Sequence, residues 1–300
     1  MKMMHEIKKW IYSQFLLQKL RKYDSSYHFF VIPQGLGDIL FVLMYLNEYR
    51  KKNPQQKIAI IVEKKHFLSL VKLFSNEIDL IIKFNLNLCE KKLLSRFHFL
   101  YSEIYNPNFL QPNLLAACRK SLGLIANAKK YIPNVELSNI QKNNLNQLIF
   151  QKTALIATDA VSCSKVISDD EWEMLAKNLS GKGYFVYFNT SDENRFKKYK
   201  HIFLDIDETI YFCNKINLFI GYRSGLCDVV AAFCKCKQFI YYPNNRKKGE
   251  FNCIKDWDEN PNLAYLRYDS LKTMFPEKDI SEVIYNKSDF ITNIEEFLNG

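Results

Sequence analysis

NLFIGYRSGLCDVVAAF, residues 217 to 233, joins an apolar run to a second run of helical spacing through a small polar turn. Leu218 to Ile220 read as a buried strand, Gly221 to Gly225 as a sharp turn, and the chain from about Ser224 onward as a helix. A strand that feeds a helix through a tight turn is the unit of a parallel α/β sheet, and ligands bind at the carboxyl ends of such strands. Ser224 is placed to cap the helix with its hydroxyl, and Gly225 lets a ligand come close to the backbone. The free N–H groups of the first turn, Leu226 included, favour an anion, and Arg223 adds a planar cationic fork. A phosphate or diphosphate suits this turn. The competing reading is an ordinary strand-to-helix turn carrying a solvated arginine.

Outward from that stretch, strand and helix patterns alternate in two blocks. In the second block, TALIAT (Thr153 to Thr158) reads as a first strand, followed by a helix with Ser168 at its N-cap, Glu171 completing a capping box and Gly181 at its end. Further strands are expected at Tyr184 to Asn189, His201 to Asp205 and Gln238 to Pro243, with helices at Glu208 to Lys215 and Asp289 to Leu298. In the first block, Phe29 to Ile32 is a strand, Pro33 to Gly37 a turn, Asp38 to Arg50 a helix and Lys57 to Glu63 a second strand. A helix at His66 to Phe74, strands at Leu80 to Phe84 and Phe97 to Tyr101, and a helix at Pro112 to Leu122 complete it. The polar, Asn-rich segment Asn134 to Gln151 reads as the connection between the blocks. The organisation expected is an N-terminal helix over residues 1–27, a domain over 28–150 and a domain over 151–300, two Rossmann-like α/β domains facing across a cleft.

At 300 residues with 48% hydrophobic and 15% aromatic content, the chain has enough material for two packed cores. No apolar run reaches the roughly 20 residues a membrane span needs, and Met1 to Tyr12 lacks the apolar run and cleavage site of a secretory signal. These features predict a cytoplasmic protein. Eight scattered cysteines without a CxxC pair predict reduced, buried thiols, and five histidines without HxxxH spacing propose no metal site. A net charge of +10 favours anionic partners, although no RRM, zinc-finger or KH pattern supports nucleic acid. Residues 2 to 22 form a basic amphipathic helix, with Ile7, Trp10, Ile11, Phe15 and Leu20 near one face, and Lys2, Lys8, Lys9, Lys19, Arg21 and Lys22 against Glu6. It is expected either to attach peripherally to an anionic membrane face or to pack on its own protein.

The turn after the first strand carries GLGD, with Gly35 and Gly37. It lacks the third glycine of the dinucleotide fingerprint, which speaks against an oxidoreductase. Asp38 stands at the carboxyl end of that strand, where substrates bind, and also where an acid suits a helix dipole.

The GLGD turn, the SKxxSDDEW segment from Ser164 to Trp172 and the GxRSGLCDVVAA turn together resemble the GT-B glycosyltransferases, and most closely the ADP-heptose:lipopolysaccharide heptosyltransferase family. The resemblance covers about residues 28 to 245, by spacing more than by identity. It implies an N-terminal domain for a glycan or lipid-linked acceptor and a C-terminal domain for a nucleotide-sugar donor, in cell-surface polysaccharide or lipopolysaccharide synthesis. By the same resemblance Asp38 is the general base, Lys165 binds the donor phosphates, Glu193 (or Asp192) holds the ribose, and Ser224, Gly225 and Leu226 form the phosphate turn. Two positions depart from it: Arg223 stands where the family has Asp, and Asp228 where it has His. The RSG turn is more similar to fucosyltransferase-like GT-B enzymes, in which an arginine contacts the diphosphate, so a GDP-fucose donor is an alternative. A non-catalytic nucleotide- or glycan-binding protein of the same fold is another. Inverting transfer needs one base and neutralisation of the leaving diphosphate. Lys165 and Arg223, facing it from a solvent-lined cleft with the helix N-terminus, would supply that neutralisation without a metal or cofactor. Asp205 and Asp207 have the spacing of a metal-binding acid pair but read as helix caps.

Overall fold

The computed structural model describes residues 2–32, 35–63, 65–89, 97–99, 111–160, 165–192, 194–248, 254 and 258–299. The chain divides into two compact units, Met1–Pro133 and Asn134–Gly300.

In the first unit, α1 (Lys2–Leu20) precedes β1 (Tyr27–Val31), α2 (Leu36–Leu43), α3 (Leu46–Lys52), β2 (Lys57–Val62), α4 (Lys65–Leu73), β3 (Leu80–Lys83), β4 (His98–Phe99) and α5 (Leu114–Ser121). The described strands pair in parallel in the order β3-β2-β1-β4. Because side chains alternate along a strand, β1 sends Val31 to one face and Phe30 to the other. Val31, Ile61 and Ile82 meet Leu16 and Leu20 of α1 on one side. Phe30 meets Tyr49 of α3 edge-on at 5.1 Å on the other. The helix expected from Asp38 to Arg50 is two helices, broken at Met44 and Tyr45, with both residues buried. Leu20, expected on one face with Ile7, Trp10 and Phe15, points into the core while those three are exposed. The expected turn residues Pro33 and Gln34, and the strand end at Leu100 and Tyr101, lie outside the described residues.

The second unit holds α6 (Asn139–Leu145), β5 (Thr153–Ala157), α7 (Asp169–Gly181), β6 (Phe185–Asn189), β7 (Lys200–Ile202), α8 (Ile206–Cys213), β8 (Leu218–Tyr222), α9 (Gly225–Phe233), β9 (Lys237–Tyr242), α10 (Pro261–Tyr268), α11 (Leu271–Met274), β10 (Ile280–Ile284) and α12 (Phe290–Asn299). Its six strands are parallel in the order β10-β9-β8-β5-β6-β7. Such strands, covered on both faces, read as apolar runs, and β5, β8 and most of β9 are buried throughout. Trp172 of α7 lies fully buried in this core, edge-on to Tyr241 at 5.8 Å and Phe290 at 5.6 Å.

The joint expected near residue 150 falls inside the second unit. Asn134 to Gln151 is polar enough to look like a connection, yet Ser138 caps α6 and Leu145 is buried. Gln141 donates to Asp207 (3.0 Å) and the Ile149 N–H to the Tyr187 hydroxyl (3.1 Å), tying the segment to α8 and β6. β8 also runs two residues further than expected, to Tyr222, leaving Arg223 and Ser224 as the whole turn. Gly221 is therefore a strand residue. A Cβ there would meet Cys227 Sγ at 2.6 Å and the Phe219 ring at 2.9 Å, so the glycine lets α9 fold back tightly on β8.

Candidate functional site

Strand order locates the candidate sites before any side chain is considered. In a doubly wound sheet, ligands bind outside the carboxyl ends of the two neighbouring strands at which the winding reverses. In the second unit those strands are β5 and β8, with Ala157 opposite Gly221. The chain leaving β5 toward Lys165 and α7 therefore emerges beside the chain leaving β8 toward Arg223 and α9. In the first unit the reversal lies between β1 and β4, and the chain leaving β1 runs into Gly35, Gly37 and Asp38.

At the β8 end, Ser224 is the N-cap of α9 by backbone conformation (φ −153°, ψ 169°). Its hydroxyl makes no capping bond and lies 3.7 Å from Cys227 Sγ, a correction to the expected cap. The Ser224 carbonyl accepts from the Cys227 N–H (2.9 Å), tightening the first turn around it. Gly225 and Leu226 are half-buried at the opening of a nine-residue helix, so the positive end of the dipole is presented by backbone N–H groups. Cys227 is buried against Gly221, and that burial pushes its thiol up to about 11, which keeps it a protonated packing residue.

Arg223 stands elsewhere than expected. Its side chain is 3% exposed, not solvent-lined. Nη1 donates to the Ser224 carbonyl (2.8 Å) and Asp228 Oδ2 (3.0 Å), while Nη2 donates to Asp228 Oδ1 (2.7 Å) and Asp269 Oδ1 (2.8 Å). The reason is electrostatic: a guanidinium taken out of water needs carboxylates around it, and Asp228 of α9 and Asp269 at the end of α10 provide two, at 2% and 5% exposure. Burial works against the cation, but the two acids hold its pKa well above the ordinary value. Asp269 is pushed up by desolvation, against the pull of Arg223. The arginine thus clamps the turn carbonyl, the first turn of α9 and the end of α10 together.

At the β5 end, Ser168 and Glu171 form the capping box expected at the start of α7: the Ser168 N–H donates to Glu171 Oε2 (2.8 Å), and the Glu171 N–H to the Ser168 hydroxyl (3.3 Å). Residues Lys165 to Asp170 line a cavity of about 420 Å³. Lys165 is half-exposed, and its ammonium lies 2.6 Å from Asp169 Oδ1. Arg195, which follows β6, carries no motif that marks it in the sequence. It donates to Asp169 through Nε (3.0 Å) and Nη2 (2.8 Å), to Asp159 through Nη1 (2.7 Å) and to Thr158 through Nη2 (3.2 Å). These bonds, with help from Lys165, hold the Asp169 carboxyl at about 2. The signal for Arg195 lay in the fold: it comes from the strand next to β5, a neighbour that its distance in sequence hides. Because Arg195 neutralises Asp169, Lys165 is not the sole cation on that acid, and its half-exposed ammonium can turn to a ligand. Asp192 occupies a tight turn, its carboxylate accepting from the Asn194 N–H (3.0 Å); Glu193 lies outside the described residues.

In the first unit Gly35 is the N-cap of α2, and Asp38, three residues on and 8% exposed, accepts from the Gly35 N–H through Oδ2 (3.0 Å). This is the helix-terminal role expected of an acid there, and it also fixes the carboxylate at the strand-end position. Gly37 is buried in the first turn. Asp205 is the N-cap of α8, its N–H donating to Glu208 (3.1 Å), in keeping with the capping role read for it.

The class these features define is the two-domain Rossmann-like α/β fold of the GT-B glycosyltransferases. Among solved structures the chain is similar to the E. coli heptosyltransferase WaaC with ADP-2-deoxy-2-fluoro heptose, at 10% identity over 91% of this chain and 99% of that one, with a TM-score of 0.57. It is similar to E. coli ADP-heptose lps heptosyltransferase II at 14% identity, over 91% and 97%, with a TM-score of 0.56. A glycosyl transferase family 9 structure from Veillonella parvula DSM 2008 matches at 12% identity, over 91% and 90%, with a TM-score of 0.57. No family model and no curated protein matches the sequence.

Proposed function

We propose that this chain is a glycosyltransferase that moves a sugar, with inversion, from a nucleotide-diphosphate donor to a glycan or lipid-linked acceptor in cell-surface polysaccharide or lipopolysaccharide synthesis. One observation carries the reading: at the reversal point of the second sheet, β5 and β8 lie side by side and each runs into a helix N-terminus, with the half-exposed Lys165 beside one and the Gly225–Leu226 backbone at the other. This combination suits a diphosphate, which takes backbone N–H groups and a mobile cation as its partners. The donor is assigned to the second unit, with Glu193 on its ribose. The acceptor is assigned to the first, around Gly35, Gly37 and Asp38, at the inner, cytoplasmic face of a membrane.

The acceptor hydroxyl oxygen attacks the anomeric carbon while its proton passes to the Asp38 carboxylate. The bond from that carbon to the diphosphate breaks, and the electron pair leaves on the diphosphate oxygen. Lys165 and the first turn of α9 meet the charge that develops there. Arg223 enters indirectly, by holding that turn. The GDP-fucose alternative drew on an arginine free to contact the diphosphate, and Arg223 is engaged by Asp228 and Asp269.

Calorimetric titration with ADP, GDP and UDP tests the donor site, followed by a nucleotide-sugar screen with glycan acceptors. One nucleotide is expected to bind, and Lys165→Ala to weaken it by on the order of 2 to 4 kcal/mol. Because the Lys165–Asp169 pair is exposed, the same change should alter stability by less than about 1 kcal/mol. A wild type that binds none of the three nucleotides overturns the reading.

A further inference from the structure

Helix α1 has two apolar faces, and the protein uses one of them. At roughly 100° per residue, Ser13, Leu16 and Leu20 share a face, and Met4, Ile7, Trp10, Ile11, Tyr12 and Phe15 spread over the rest of the helix, centred roughly 170° away. The first set is buried, Leu16 and Leu20 against Val31, Ile61, Ile82, Leu86 and Cys89. The second set is between 39% and 60% exposed. Six large apolar side chains on the outward face of a helix anchored by its opposite face form a surface that is unusual on a solvated protein.

We propose that the outward face of α1 is a docking surface for an anionic lipid bilayer, on which the helix lies flat. This deepens the membrane-face element of the reading above and is independent of the donor site, so vesicle binding and nucleotide binding fail separately. The charges select the partner. Lys8 and Lys19 are exposed between Phe15 and Tyr12 on one side of the outward face, and Arg21 and Lys22 are exposed just beyond the end of the helix. The acid among them is Glu6, already 3.7 Å from Lys9. A second copy docked through this face would bring the same lysines toward one another, whereas an anionic headgroup layer complements them. Trp10, Tyr12 and Phe15 have the chemistry that settles at the boundary between headgroups and acyl chains, and the lysine stems let their ammonium groups reach up from between the aromatic rings to the phosphates. Among the described residues no helix is long and apolar enough to cross a membrane, so the contact is with the surface.

The test uses the full-length chain and vesicles of phosphatidylcholine with and without 30% phosphatidylglycerol, read by co-sedimentation. Binding is expected with the anionic vesicles, falling about fivefold for each of Lys8→Gln and Lys19→Gln at low salt, and falling further at high salt. Trp10→Ser combined with Phe15→Ser is expected to abolish it. Both residues are exposed, so unchanged circular dichroism and unchanged nucleotide binding certify the fold of that variant. Equal binding to neutral and anionic vesicles, or binding untouched by the Trp10/Phe15 change, overturns the proposal. So does a vesicle-free dimer that the same double change dissociates, because the face would then belong to a second copy.

Discussion

Arg223 illustrates how a residue's chemistry is set by what surrounds it. A guanidinium in a turn after a parallel strand reads as a phosphate ligand, but here its bonds are committed to Asp228, Asp269 and a carbonyl. Arg223→Ala would leave two carboxylates buried without their cation, so a loss of about 3 to 5 kcal/mol in urea denaturation is expected. Asp269→Asn keeps the shape and one acceptor oxygen, leaves Asp228 on the arginine, and should cost less than half as much. Asp38 is the opposite case, an acid whose structural contact leaves a chemical role open. Asp38→Asn retains an oxygen for the Gly35 N–H, so stability should fall by no more than about 1 kcal/mol. Turnover should fall roughly 100-fold with nucleotide affinity intact, as removal of the proton acceptor requires. Unchanged turnover would leave Asp38 a helix-terminal acid. The residue types at positions 38, 165 and 223 were legible in the sequence. Burial was not: one of the two acids that hold Arg223 out of solvent, Asp269, caps the end of a helix the sequence pattern did not reveal.

Among the elements, α7 shows how a cluster of charges couples a helix start to pH. Asp169 sits in the first turn and is held at about 2, below the ordinary 3.8, chiefly by the bonds from Arg195. A depressed acid stabilises the fold above its unfolded pKa, and that contribution is lost as the proton returns on acidification. Arg195→Gln should therefore lie below the wild type by about 1 kcal/mol at pH 6, discounted for the partial exposure of Asp169. The gap should close as pH falls from 3.8 through about 2. Thermal melts of both proteins across that window check the sign, and a gap that widens in acid would refute it. The elements with strong local signals were legible: the Ser168 capping box, the apolar β5 and β8, the basic α1. Boundaries set by tertiary contact were not. Nothing local tells that β8 continues through Gly221 to Tyr222, since the cause is pairing with β9, which sets Gly221 opposite Ile240 and Tyr222 opposite Tyr241. The break between α2 and α3 likewise leaves no proline or glycine behind it, only buried Met44 and Tyr45.

For the whole molecule, the two-sheet plan followed from the alternation of strand and helix, while the joint between its halves was misplaced. Asparagines suggested a linker at Asn134 to Gln151, yet a single buried leucine, a cap and a few side-chain bonds attach that stretch to the second core. A fragment of residues 134–300 is expected to unfold cooperatively, and a fragment of residues 151–300 to melt several degrees lower, having lost the burial of Leu145, about 2 kcal/mol in itself. Scanning calorimetry of both fragments decides between the joints; equal melting temperatures would restore the polar segment to a linker.

The clamp of Arg223 by Asp228 and Asp269 also bears on how such a sequence can drift. Loss of Arg223 strands two carboxylates in the interior and loss of Asp228 takes two of the guanidinium's bonds, so a single change at either position passes through a destabilised protein. Reversing the signs at positions 223 and 228 would not keep the same turn, because a carboxylate at 223 has no N–H for the Ser224 carbonyl and would stand against Asp269. At 10 to 14% identity to solved structures that share its fold, the chain keeps its turn by a set of charges that stands or falls as a unit rather than by residues taken one at a time.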